Sequence, residues 1–560
     1  MTISASGHSG SDGYRSPATS YRLDLLLTNA TVLTMDPAHP YASAVAIGGD
    51  RIVWVGDAEE AQTHLTGVER TLDLAGATVI PGFNEAHHHL LLLGHWLSQI
   101  DCSFPAARSI PDILAAVGER AAATPEGEWI EGRGYDDNKL AERRHLTRWD
   151  LDAVAPNHPV SIRNASGHMC VVNSRALTLS GITRDTESPF GGTIHLAPAT
   201  GEPSGLLQEQ AQELVPLPFI PSDKETLRRC LDTASRAYLA AGVTSSQEAG
   251  IFTTPEFAVY QEAWAAGELP LRTYLMIRTN FLDALEQLGI ATGFGDDRLR
   301  VGCLKVMSDG SLIGRTAAVS QPFLDDPNPN NLGLEMMPQT ELDETIWRGH
   351  RAGWQVAIHA IGDRGIEMCL DGFERALTRQ PRRDHRHRLE HCGILRPDLI
   401  QRIKDLGVVP VGQPPFILEF GDGFLRHLGR ERCQLTYALK TVLAAGIPLT
   451  ASSDSPVSSY QPLIGIKAAV TERTASGADF APAEALSVEE AIALYTRAGA
   501  YASFDEHRKG TITHGKLADL AVLATDPRAA VPDEIDRIPI LATISGGRLV
   551  YESPIAATAG

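Results

Sequence analysis

The sequence predicts an α/β chain: a (β/α)8 TIM-like barrel joined to a small β-domain assembled from both chain ends. Three observations predict it. Apolar, β-prone runs alternate with helix-like stretches through the middle of the chain, single residues able to bind metal stand at the ends of those runs, and short β-like runs broken by Gly and Asp recur at both termini. Functional residues at strand C-termini are the grammar of such barrels, whose active sites lie on that face.

Residues 1–20 are rich in Ser and Gly with no apolar core, so residues 1–21 are expected to form a disordered tail, neither signal peptide nor anchor. Residues 23–36, 44–57 and 71–81 read as β-like runs, and so do 518–524 and 540–551. They place one β-domain at 22–82 and 508–556, with Gly546-Gly547 suited to a hairpin turn. The barrel then spans 83–507. Residues 227–241, 340–353, 365–378, 396–406 and 437–445 carry apolar spacing near 3.6 and supply its helices. Between 102 and 221 the helical signal weakens while Gly, Pro and Arg increase; this is expected to be an insertion around the second strand, a substrate lid or pocket wall.

The most informative stretch is Phe83-Asn84-Glu85-Ala86-His87-His88-His89. On an extended strand residues i and i+2 point the same way, so His87 and His89 can present two imidazoles to one ion while His88 faces elsewhere. Alone, the pair is equally at home in an exposed or hydrogen-bonded histidine cluster. Lys305, His359, His391 and Asp454 follow, each in or at the end of its own apolar run. Singly, each has a plain reading: a solvated lysine, two structural histidines, a turn or cap aspartate. Their joint order at strand ends is what argues for a metal site. Arg315, Asp363 and Arg364 fit either substrate orientation or pairing at the barrel rim. Trp129, Tyr135 and Phe416 divide between pocket lining and core.

The ordered series His-x-His, Lys, His, His, Asp resembles the amidohydrolase superfamily, and the local wording resembles its YtcJ-like branch. That wording comprises Trp129-Ile130-Glu131-Gly132-Arg133-Gly134-Tyr135-Asp136, Gly167-His168, Val172-Asn173-Ser174, Asp309-Gly310-Ser311, His359-Ala360-Ile361-Gly362-Asp363-Arg364, Arg388-Leu389-Glu390-His391 and Ser453-Asp454-Ser455-Pro456. The resemblance covers residues 24–552. It implies a composite β-sandwich beside the barrel and a centre holding one or two divalent ions, Zn2+ by preference. His87, His89 and Asp454 would bind one ion and His359 and His391 a second. Lys305, carboxylated by CO2, would bridge two metals about 4 Å apart. Asp454 would also carry the proton from the attacking water to the leaving nitrogen, and His168 would donate to the substrate carbonyl. Trp129, Tyr135, Arg315 and Phe416 would contact substrate. One residue departs from the pattern: the group usually has Asp where this chain has Glu85, a carboxylate one methylene longer.

The activity so implied is hydrolysis of a non-peptide C–N bond in a small amide, N-formyl, carbamate or cyclic amide compound. Two alternatives use the same site, an ester, lactone or phosphoester hydrolase and a metal-binding homologue without activity. The complete ligand set speaks against the second, and the absence of a basic cluster near the ligands speaks against phosphate. A net charge of −20 argues against nucleic acid or an anionic membrane as partner. The seven cysteines are scattered, odd in number and never in a CxxC pair, as expected for reduced thiols in the cytoplasm. No run is apolar enough for a membrane helix. The expected partner is a small-molecule substrate, and the resemblance leaves room for a homodimer.

Overall fold

A computed structural model describes residues 23–554, apart from 66, 105, 138, 165–168, 190–191, 218–220 and 327. The expected tail at 1–21 lies outside the described residues. Eight parallel strands form the central sheet: Phe83–His88, Val243–Ile251, Arg272–Arg278, Leu299–Met307, Gln355–Ala360, Arg388–His391, Val409–Gly412 and Thr450–Ala451. They pair in chain order, and a bridge from His88 to Ser455 brings the eighth back to the first. This is the barrel the alternation predicts, and its strands are buried nearly throughout because helices cover the outside.

The helices fall where the 3.6 periodicity places them: Lys224–Ala240, Gln339–Arg351, Asp363–Arg379, Pro397–Leu406 and Leu439–Ala444. The first of these starts on Asp223, whose side chain accepts the Thr226 N–H at 2.8 Å. It buries Leu227, Leu231, Ala234 and Tyr238 on one face. Helix Leu90–Ser98 packs against it at backbone distance, since a Cβ on Gly94 would stand 1.9 Å from the Cys230 carbonyl oxygen. A larger residue there would drive the two helices apart.

The chain ends meet in two further sheets. One has four strands, within 23–73; the other has six and pairs Leu520–Leu523 with Thr78–Pro81, so it mixes N-terminal and C-terminal strands. Leu25, Leu27, Val45 and Ile47 from the first pack against Val32, Val79, Leu520, Val522 and Ile544 from the second. Two of the predicted runs are broken. The run 23–36 divides at Asn29 (φ +52°) and the run 71–81 divides around Ala75 and Gly76 (φ +51° and +87°), and each crosses from one sheet to the other there. Apolar periodicity does not register a left-handed residue, so each run reads as continuous. Gly546 and Gly547 (φ +56° and +73°) join Ile540–Ser545 to Arg548–Glu552, as a two-residue hairpin of this hand requires.

The insertion leaves after Leu90–Ser98 and returns at Lys224–Ala240, so it occupies the crossover between the first and second barrel strands. It carries a six-stranded sheet and its own core, in which Ile110, Ile113 and Val117 of helix Ile110–Ala123 meet Ile130, Val160 and Ile162. Among the described residues no helix is long and apolar enough to cross a membrane, and all seven cysteines are buried and unpaired.

Candidate metal centre

The end of the first barrel strand and the start of the following helix deliver His87 and His89 to one point, with His88 turned away. The His88 ring packs edge-on against Tyr238 at 5.0 Å, inside the core. His87 Nε2 and His89 Nε2 lie 3.4 and 3.5 Å from Asp454 Oδ1. The three ligand atoms all stand within 4.8 Å of one another, and Oδ1 has no hydrogen-bond partner. Ligands held around one zinc at its usual bond lengths and tetrahedral angle are about 3.4 Å apart. The gap between these three atoms therefore has the size and the donor set of a divalent-ion site.

Lys305 Nζ is 3.4 Å from His87 Nε2. Burial lowers its pKa to about 8, which supplies a population of neutral amine. His359 and His391 continue the same wall, their ring centroids 4.4 Å apart, with His391 4.8 Å from His87.

Each of the four histidines has its other nitrogen engaged. His87 Nδ1 is hydrogen-bonded to Glu390 Oε2, and His89 Nδ1 lies 3.7 Å from Glu248 Oε1. His359 Nε2 meets the Gly310 carbonyl at 2.9 Å, and His391 Nδ1 meets Gln413 Oε1 at 2.9 Å. A ring nitrogen facing an acceptor carries the hydrogen, which leaves the lone pair on its partner nitrogen. The acceptors thus direct lone pairs from Nε2 of His87, His89 and His391 and from Nδ1 of His359. They are anchored in turn. Glu248 accepts from Leu90 N–H (2.9 Å) and Tyr260 Oη (2.6 Å), and Arg388 donates to both oxygens of Glu390 (2.7 and 3.0 Å). Gln413 is oriented by donating to the Val411 carbonyl and Ser452 Oγ.

Burial holds His87 and His391 well below the ordinary histidine range and His359 at about 3, the last also opposed by the Lys305 charge. His89 goes the other way. Desolvation opposes its charge, but the neighbouring carboxylates of Asp454 and Glu248 raise it to about 9. The site therefore favours a positive charge between these two carboxylates.

Glu85 braces the centre. Its Oε1 accepts from His87 N–H (3.3 Å) and Ser453 N–H (2.9 Å), so the longer side chain spans from the first strand to the end of the eighth. Burial raises its pKa to about 8. His391 (φ +71°) and Asp454 (φ +55°) sit in the left-handed region despite having side chains, strain of the kind that collects at functional sites.

The other predicted residues are distributed as follows. Phe416 stacks on His391 (centroids 6.3 Å apart, 13° between planes) and begins an aromatic wall with Tyr437, Phe420 and Phe424. Arg315 pairs with Asp326 (3.2 Å) and Asp325 (3.7 Å). Asp363 accepts from Ser320 and Arg396, while Arg364 lies beside Glu335. Tyr135 and Trp129 belong to the insertion. Tyr135 is buried with its hydroxyl 3.1 Å from His145 Nδ1, and Trp129 packs against the insertion's second cluster, which includes Val172, Ile194 and Leu207. His168 lies outside the described residues.

A family model described as "Amidohydrolase family" matches residues 70–551. The chain belongs to the amidohydrolase family. It is 33% identical over 488 residues to the putative amidohydrolase YtcJ of Bacillus subtilis, a match covering 86% of this chain and 90% of that one. It is 31% identical over 545 residues to the N-substituted formamide deformylase of Arthrobacter pascens, covering 94% and 98%. The crystal structure of an uncharacterized metal-dependent hydrolase from Pyrococcus furiosus superposes with a TM-score of 0.73 at 29% identity, over 90% of this chain and 99% of that one. The family member described here is a hydrolase, and the barrel carries its histidines.

Proposed function

We propose that this amidohydrolase is a metal-dependent hydrolase of a non-peptide C–N bond in a small amide, N-formyl, carbamate or cyclic amide compound. The observation that carries the reading is the meeting of His87 Nε2, His89 Nε2 and unpartnered Asp454 Oδ1 around an ion-sized gap. His359 and His391, with lone pairs directed by Gly310 and Gln413, would hold a second ion, and a carboxylated Lys305 would stand between the two. Zinc suits the imidazole and carboxylate donors. When bound, the metal supplies a water activated for attack near neutral pH and polarises the carbonyl.

The residues do the rest. Asp454 turns Oδ1 to the two imidazoles, which leaves Oδ2 to take the proton from the attacking water. An amine leaves only when protonated, and Oδ2 would return that proton to the departing nitrogen. This requirement favours a C–N bond over an ester for a site with such a shuttle. Glu390, Glu248 and Gln413 keep the imidazoles oriented throughout. The aromatic wall beginning at Phe416 excludes water from one side of the centre.

Metal analysis of the purified protein, followed by turnover of N-formyl amines, N-acyl amino acids and hydantoins with and without a chelator, tests the reading. Bound divalent metal and chelator-sensitive C–N cleavage are expected. A protein that neither contains nor takes up divalent metal would overturn it.

A further inference from the structure

Arg278 ends the third barrel strand and lies beside Lys305 of the fourth in register, so it stands at the same barrel face as the histidines. It is half-buried. Among the described residues it forms no hydrogen bond and no ion pair; its guanidinium rests on the Phe252 ring, 5.0 Å from the centroid. The fully buried guanidiniums of this barrel are matched to acids, Arg272 to Asp519, Arg300 to Asp505 and Arg388 to Glu390, while half-buried Arg298 and Arg382 donate to backbone carbonyls; Arg278 has neither kind of partner among the described residues. An arginine is charged at every accessible pH, and withdrawing it from water without an anion is costly. Such a group is poised for an anion that arrives from outside.

The surroundings shape it for that role. Phe252 lies 6.4 Å from the His89 ring, so the Arg278 platform is one ring away from the metal ligands. Gly250 makes the room: a Cβ there would stand 3.0 Å from Phe252 Cε2 and 3.6 Å from Arg278 Cδ. The positive charge reaches Lys305 and His359, lowering the proton affinity of both. A guanidinium held flat by an aromatic face offers a planar fork that fits a carboxylate by two parallel hydrogen bonds.

We propose that Arg278 binds a carboxylate of the substrate, which makes the substrate class an amide-type compound carrying an acid group, such as an N-acylated or N-formylated amino acid. The inference rests on the hydrolytic reading above. It assigns a specificity determinant on the third strand and a charge to the substrate.

The test uses the metal-loaded full-length enzyme with matched pairs: an N-formyl or N-acetyl amino acid and its carboxamide. The wild type is expected to prefer the acid. Arg278→Gln should raise KM for the acid about 10- to 100-fold, the usual worth of a charge-assisted bidentate contact, and bring the acid-to-amide preference close to one. Arg278→Lys should fall between, keeping charge and losing the fork. Metal content and Tm are read on each variant. Loss of metal in Arg278→Gln would assign the guanidinium to the metal centre and overturn the proposal, as would equal use of acid and amide by the wild type. Calorimetric binding of the free amino acid product and of its carboxamide extends the test to a protein that turns over neither. An Arg278-dependent preference for the acid there would uphold the carboxylate site independently of the hydrolytic reading; no preference would sink the site.

Discussion

Glu390 holds His87 across 303 positions of chain: its Oε2 is hydrogen-bonded to His87 Nδ1, and the same carboxylate takes a two-pronged donation from Arg388. Arg388 then donates to Gln247 Oε1 (2.5 Å) and to the Ala86 carbonyl (2.8 Å), so one buried ion pair ties the sixth strand to the second and first. The orientation of an imidazole in the candidate metal centre and the integrity of the barrel wall thus share a carboxylate.

Glu390→Gln should weaken metal binding by about 10- to 100-fold, the usual cost of removing such a support. It should also lower Tm, because Arg388 would be left buried with its charge unanswered. Glu248→Gln should weaken metal binding similarly with a smaller loss of Tm, since no arginine is orphaned. Metal titration and calorimetry of the two variants check this; equal Tm losses would refute the division of roles.

Lys305→Ala should lose metal and activity together if the lysine is a carboxylated bridge. Added short-chain carboxylates should restore part of the activity by occupying the bridge position. An Ala variant with full activity would identify the lysine as a bystander.

Asp454→Asn keeps size and an oxygen ligand and removes the base. The remaining ligands should retain most of the metal, while kcat falls about 100- to 10,000-fold with KM little changed. Near-normal kcat at normal metal content would move the proton transfer to another group, with His168 the first to examine.

Glu472 gives a prediction remote from the centre. It is buried at the end of helix Pro462–Thr471 with both carboxylate oxygens unpartnered, and burial, aided by the charge of Glu484, raises its pKa from 4.5 to about 9. Between these values the folded chain keeps a proton that the unfolded chain releases. Its contribution to stability is therefore fully present below about 4.5 and is lost as pH rises toward 9. Tm of the wild type should fall across that window, and Glu472→Gln should flatten the fall; parallel curves would count against it.

Much of the fold was legible because strand and helix periods differ, and the His87/His89 pair follows directly from the period of two. The supports were not. Glu248 lies in Thr244-Ser245-Ser246-Gln247-Glu248, whose buried polar residues hide a barrel strand from any search for apolar runs. Glu390 and His391 are adjacent, and on a regular strand they would face opposite sides. The left-handed turn at His391 is what lets one reach His87 Nδ1 while the other joins the ligand wall, and no pattern in the sequence announces it. Arg278 carries its signal in what is missing around it, which only three-dimensional neighbours reveal.

The strand Thr78–Pro81 runs through Gly82 into the first barrel strand, yet its partner is Leu520–Leu523, and Gly82 N–H donates to the Asp519 carbonyl at 2.8 Å. Asn84 N–H donates to the carbonyl of Tyr495. The segment that presents His87 and His89 emerges early from the ribosome but finds these partners only after more than four hundred further residues have been made. Assembly of the centre therefore waits for the C-terminal part of the chain: late contacts of high sequence separation make that step slow, and an open first strand must be kept from foreign edges meanwhile.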